Sequence, residues 1–205
     1  KKMSNEYKQR GLAALRDLSA FQERFESYDT DTTINSIRDT FVAEYLCFNL
    51  INISKHGFDA KKSETDEFLE IKQCSLVARR WGGTWNDTNI EKAEAFSSPK
   101  LFTAIALWKG ASDLQFVIYG QDKRLGEYLL ARVRGRKRGS RSTQTVGIDK
   151  LLGWGFEILV PPGRTKKEVL EQIFLYNKNL GAVTRLALLK TVEELQMVSP
   201  PPASL

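Results

Sequence analysis

Residues 57–75 read Gly-Phe-Asp-Ala-Lys-Lys-Ser-Glu-Thr-Asp-Glu-Phe-Leu-Glu-Ile-Lys-Gln-Cys-Ser. The period-two alternation of this segment predicts strands at 57–62 and 67–75, with 63–66 as the turn between them. Alternation sets Glu70 and Lys72 on one face of the second strand and Leu69 and Ile71 on the other. A turn centred on Glu64 and Thr65 gives an antiparallel register in which Asp59 falls opposite Glu70, their Cβ atoms about 5 Å apart. Like charges at that range repel unless a cation lies between them.

The scarcity of softer ligands narrows the choice of cation. The chain has one histidine, His56, and two cysteines, Cys47 and Cys74. Histidine-pair metalloproteases, four-ligand zinc sites and disulfide frameworks are therefore excluded. A cysteine-histidine pair from Cys74 and His56 is disfavoured, because Cys74 lies in an apolar strand and reads as a buried, inert thiol. Oxygen ligands from Asp59 and Glu70, helped by the Ile71 carbonyl, suit a hard cation such as Mg²⁺. Lys72 can then hold or deprotonate a water and offset phosphate charge, which makes the expected chemistry phosphodiester hydrolysis.

Gly57-Phe58-Asp59, ten intervening residues and Glu70-Ile71-Lys72 resemble the PD-(D/E)XK nuclease motif, with Phe58 in place of the name-giving proline. The order of elements around it is similar to the restriction-endonuclease-like fold. The resemblance implies an α/β (α+β) domain with a mixed sheet flanked by helices. It further implies Mg²⁺-dependent cleavage of double-stranded DNA, as in type II restriction enzymes, and often a homodimer. A helix preceding the motif often supplies another acid in that family, and the matching candidate is Glu44.

Outward from the motif, Leu12, Leu15, Leu18, Phe21 and Phe25 predict a helix ending near Ser27. Asp and Thr residues in 28–33 are suited to cap a second helix over about 34–52, with Ile37, Phe41, Phe48 and Ile51 on one stripe and Glu44 among them. Residues 79–87 read as a glycine and tryptophan loop, followed by a capping box of Thr88 and Glu91 opening a short helix through Phe96. The runs 101–108 and 114–119 form a hairpin about Lys-Gly-Ala-Ser-Asp. Residues 143–152 begin a short strand or helix, and 155–160 form a buried strand stopped by Pro161, Pro162 and Gly163. Thr165 and Glu168 make a second capping box, opening helices that continue to about Gln196 with a break near Gly181. The expected organisation is one nuclease domain over 1–198, with N-terminal helices in 1–54, a β-rich catalytic core in 55–163, C-terminal helices in 164–198, and a disordered tail over 199–205.

The chain has 205 residues, 41% hydrophobic and 27% charged, which suits one globular domain. With neither a membrane-spanning apolar run nor a signal sequence, the expected location is the cytoplasm. No Walker-type loop is present, so no nucleotide cofactor is expected. The formal net charge is +6, a value matched by the six basic residues Arg132, Arg134, Arg136, Lys137, Arg138 and Arg141 alone. This segment is expected to bind DNA phosphates, with Arg79 and Arg80 adding backbone contacts. Trp85, Asn86 and Gln144, with Gln73 and Thr145, are candidates to touch bases or the groove. Two rival readings stand beside this one: a structure-selective nuclease of the junction-resolvase or repair type, and a non-catalytic DNA-binding module that needs no cation.

Overall fold

A computed structural model describes residues 5–51, 58–134, 142–178, 180 and 189–191. Cα packing divides the chain into two units, Lys1–Arg38 and Asp39–Leu205. The first holds α1 (Asn5–Arg24) and the start of α2 (Thr30–Tyr45). Asp29 Oδ1 accepts from the Thr32 N–H at 2.6 Å, and Thr33 Oγ1 donates back to the Asp29 carbonyl at 2.7 Å. The capping expected of this polar stretch is therefore in place.

α2 stops at Tyr45, well short of the expected Asn52. The Phe48 N–H donates to the Ala43 carbonyl and the Cys47 N–H to that of Glu44, while Cys47 takes φ 58°. These paired bonds form a Schellman termination whose left-handed position is held by a cysteine rather than glycine. α1 ends the same way, with Glu26 at φ 51° and the Ser27 N–H bonded to the Gln22 carbonyl. Neither stop carries a glycine signal.

The larger unit is built on a mixed seven-stranded sheet in the order β1-β2-β3-β5-β6-β8-β9. Its strands are β1 (Asn49–Leu50), β2 (Ala60–Lys61), β3 (Phe68–Ser75), β5 (Leu101–Lys109), β6 (Asp113–Gly120), β8 (Glu157–Val160) and β9 (Leu189–Thr191). β3 and β5 run parallel, as do β8 and β9; the other neighbours are antiparallel. The fold class is thus mixed α/β of the α+β kind, as expected. β5 and β6 form the anticipated hairpin, turned at Gly110 with φ 70°.

Each face of the sheet buries its own apolar cluster. On one, Val42 and Ala43 of α2 and Leu46 just past its end cluster with Leu69 and Ile71 of β3, Ala104 and Ala106 of β5, and Leu159. On the other, Ile105, Leu107, Phe116 and Ile118 cluster with residues of α4 (Lys123–Val133), α5 (Ile148–Gly153) and α6 (Lys166–Tyr176). The Thr165–Glu168 capping box opens α6 with both reciprocal bonds present. Of the helices expected beyond it, α6 ends at Tyr176 and Lys178 and Leu180 are again helical, but Leu189–Thr191 forms β9, where pairing with β8 and burial of Leu189 override helix propensity. The expected break at Gly181, the helix ending near 196 and the tail lie outside the described residues.

Residues expected to form a loop make a strand instead. β4 (Gly82–Thr88) pairs antiparallel with β7 (Ser142–Gly147) in a separate two-stranded ribbon. A Cβ on Gly82 would lie 2.2 Å from the Val146 carbonyl oxygen, and one on Gly83 would lie 2.6 Å from Ile105 Cδ1. The glycines that suggest a loop are there for close approach within a strand. The cap of α3 (Ile90–Ala95) also moves one residue on: Asn89 accepts from the Lys92 N–H, while Thr88 is buried and donates to the Trp85 carbonyl. Residues 143–152 prove to contain both a strand, β7, and a helix, α5.

Because the obstacle at Gly82 is backbone, it cannot rotate away. Gly82→Ala is expected to destabilise the protein by about 1–3 kcal/mol in urea denaturation; an unchanged midpoint would contradict the close packing of the ribbon.

Candidate active site at the edge of β3

β3 alternates as its sequence predicts, with Leu69 and Ile71 in the α2-side cluster and Glu70, Lys72 and Cys74 facing the other way. β2 pairs with it through Ala60–Leu69 and Lys61–Phe68, the register set by a turn at Glu64 and Thr65. Continued by one residue, that register sets Asp59 opposite Glu70. Asp59 lies where the chain bends off the ladder: its N–H donates to the Leu69 carbonyl at 2.9 Å, while its Oδ2 accepts from the Ile71 N–H at 2.6 Å. In an extended strand the N–H and C=O of one residue leave on the same edge, so the Ile71 carbonyl also leaves toward this edge.

Glu70 is 4% exposed, and Lys72 Nζ lies 2.6 Å from its Oε1. A carboxylate so deep needs a positive partner, and Lys72 supplies it. Asp59 has less compensation. Burial, then the charge of Glu70, pushes its carboxyl up to about 6, against the opposing effects of Lys72, the Ile71 N–H and Lys92. The repulsion expected from the register is thus present as a difficulty in ionising Asp59.

The acid that α2 brings to this group is Asp39. Glu44 is exposed, so its expected place on the buried stripe is not realised. Positions 39, 42, 43 and 46 make one helical face, and Val42, Ala43 and Leu46 on it are buried. Glu44 lies about 140° round the helix from Asp39. Asp39 Oδ1 accepts from Gln73 Nε2 at 2.5 Å, and Gln73 Oε1 accepts from Trp108 Nε1 at 2.5 Å. Burial raises the Asp39 carboxyl to about 6; Gln73 and Lys72 oppose this, while Asp59 and Glu70 add to it. Gln73, engaged at both ends of its amide, is not available as a base reader.

Among the described residues no three His, Cys, Asp or Glu side chains converge closely enough to hold a metal by themselves. Mg²⁺ does not require such a cage: one or two carboxylates suffice, completed by water and substrate phosphate. The Asp59–Glu70 pair is a donor set of that kind, made of hard oxygens that repel one another, with the Ile71 carbonyl leaving the strand on the same edge.

The expected DNA contacts divide. Trp85 is fully buried and packs edge-on against Phe96 at 5.9 Å, so it is a core residue and not a groove contact. Trp81 is likewise buried, stacked on Tyr176 at 3.8 Å. Gln144, opposite Trp85 on the inward side of the ribbon, is half-buried and donates to Ser142 Oγ at 2.9 Å. The outward side carries Asn86, Thr84, Thr143 and Thr145, all exposed. Arg79, Arg80, Arg132 and Arg134 are exposed as well, with Arg132 reaching Tyr128 Oη at 3.0 Å. Arg136, Lys137, Arg138, Arg141 and His56 lie outside the described residues. Cys74 is buried and its thiol pushed up by burial, in keeping with an inert role. Among the described residues no helix is long and apolar enough to cross a membrane.

Comparison of the chain with protein-family models and with curated proteins finds no match.

Asp59 binds its proton more tightly in the folded chain than in the unfolded one. It therefore favours folding below the ordinary carboxylate value of 3.8 and loses that contribution as pH rises through about 6. Asp59→Asn keeps an acceptor for the Ile71 N–H without the charge. It is expected to stabilise the protein at neutral pH by about 1 kcal/mol and to flatten the pH dependence of thermal unfolding below neutrality. A variant less stable than wild type at neutral pH would contradict the electrostatic assignment.

Proposed function

We propose that this chain is a Mg²⁺-dependent endonuclease that hydrolyses phosphodiester bonds of double-stranded DNA, of the PD-(D/E)XK, type II restriction-endonuclease-like kind. The observation that carries the reading is the register that sets Asp59, just ahead of β2, opposite Glu70 of β3, with Asp59 bonded to the Ile71 N–H and Lys72 in contact with Glu70. A structural carboxylate pair would be expected to avoid this arrangement, because each charge makes the other harder to form.

In this reading Asp59 and Glu70 hold the cation and the Ile71 carbonyl assists. Bound there, Mg²⁺ supplies Lewis-acid polarisation of the phosphoryl oxygen and lowers the pKa of a bound water. Lys72 Nζ, which lies against Glu70, would hydrogen-bond the attacking water and offset charge on the phosphoryl oxygens. Asp39 takes the part expected of Glu44, an acid from the preceding helix that adds negative potential beside the pair.

DNA is the favoured substrate because the chain carries a net charge of +6 and concentrates six cations in 132–141. The exposed Arg79, Arg80, Arg132 and Arg134 supply phosphate contacts. The polar outward side of the β4–β7 ribbon offers Asn86 and three threonines to base edges; a two-stranded ribbon fits the major groove. Cleavage of both strands at a palindromic site calls for a homodimer.

Incubated with plasmid, the protein is expected to give discrete fragments in Mg²⁺ and none with excess chelator. Asp59→Ala and Lys72→Ala are each expected to lower the cleavage rate by ~10²-fold or more while DNA retention in gel shift persists. Cleavage that survives either substitution, or that proceeds in chelator, would refute the assignment. Cutting confined to branched DNA would favour the junction-resolvase reading.

A further inference from the structure

The side-chain amide of Gln73 is held between two groups of opposite hydrogen-bonding sense. Its Nε2 donates to Asp39 Oδ1 and its Oε1 accepts from Trp108 Nε1, both at 2.5 Å. An indole N–H can only donate, and an ionised carboxylate can only accept. Turning the amide over would set two donors together at Trp108 and two acceptors together at Asp39. The orientation of Gln73 is therefore dictated by its neighbours.

Trp108 is well placed to dictate it. The residue is 3% exposed near the end of β5, in the same apolar cluster as Val42 and Ala43 of α2. In the β3–β5 register Gln73 pairs with Ala106 and Ser75 with Trp108, so Gln73 and Trp108 project on the α2 side of the sheet. Gln73 also directly follows Lys72. One strand thus sends Glu70 and Lys72 to one face and, from the next position, an amide that holds the carboxylate of α2 on the other.

We infer, given a cation site at Asp59 and Glu70, that Gln73 is a positioning residue for that site and that Trp108 selects the amide orientation it needs. Trp108 fixes Gln73, Gln73 fixes Asp39 through Oδ1, and Asp39 is held close to Asp59 from the side of the sheet that Glu70 does not occupy. Mg²⁺ and Mn²⁺ retain waters when bound by few protein ligands. A carboxylate anchored one shell out accepts hydrogen bonds from those waters, and its own anchors then bear on affinity. Loss of such outer partners weakens metal binding by ~10- to 100-fold.

The test is Mn²⁺ binding to the full chain without DNA, measured by titration calorimetry, with thermal unfolding recorded for each variant. Gln73→Leu and Trp108→Phe are each expected to weaken Mn²⁺ binding by ~10-fold. The double variant is expected to bind no more weakly than Gln73→Leu alone, because the two residues act in series. Mn²⁺ affinity unchanged in Gln73→Leu, or losses that add in the double variant, would overturn the inference even if the thermal transition falls, since a merely structural glutamine moves stability and not affinity. Should Gln73→Leu fail to fold, Gln73→Met and Trp108→Phe take its place with the same expectations. Failure of the cation site itself gives a different result: wild type then binds no Mn²⁺, or binds it equally well with Asp59→Ala.

Discussion

Two carboxylates that repel one another, held together by strand register, are the constraint on which the account of this protein rests. Ala60–Leu69 and Lys61–Phe68 pairing brings Asp59 up to Glu70. Neither acid can swing far: Asp59 is tied to the Ile71 N–H, and Glu70 is buried against Lys72. Burial and, after it, the charge of Glu70 push the Asp59 carboxyl up. A fold selected for stability alone would replace one of them with a neutral residue of like shape. In the proposed function a divalent cation offsets that repulsion.

Rigidity around the pair comes from both faces of the sheet. β3 is interior, between β2 and β5, and its alternation feeds two separate cores. Leu69 and Ile71 anchor one face beneath α2, whose Schellman end at Cys47 lets the chain turn back into β1. Glu70 and Lys72 face the side covered by the larger cluster, where Trp81 and Trp85 fix the start of the ribbon. The tryptophans thus hold β4 from within while small polar residues face outward.

How much of this is legible in the sequence depends on whether the deciding interaction is local. The β5–β6 hairpin, the Thr165–Glu168 capping box and the register of β2 with β3 depend on short-range pattern and turn chemistry, and each follows from the residues. The ends of α1 and α2 do not, because Glu26 and Cys47 occupy left-handed positions that ordinarily advertise themselves with glycine. β4 hides for the converse reason: Gly82 and Gly83 suggest a loop, although their purpose is close approach to Val146 and Ile105. β9 depends on a partner strand distant in sequence. A stripe drawn through Ile37, Phe41, Phe48 and Ile51 takes in Glu44 and passes over Asp39. The smaller Val42, Ala43 and Leu46 mark the buried face, and extending their pattern back by three residues reaches Asp39.

The most direct measurement of the central claim is anomalous diffraction from crystals of the protein soaked in Mn²⁺. An ion bound by carboxylate oxygens of both Asp59 and Glu70, with Lys72 Nζ withdrawn from Glu70, is expected. A saturated soak that leaves this position without anomalous signal, with Lys72 still paired to Glu70, would contradict it.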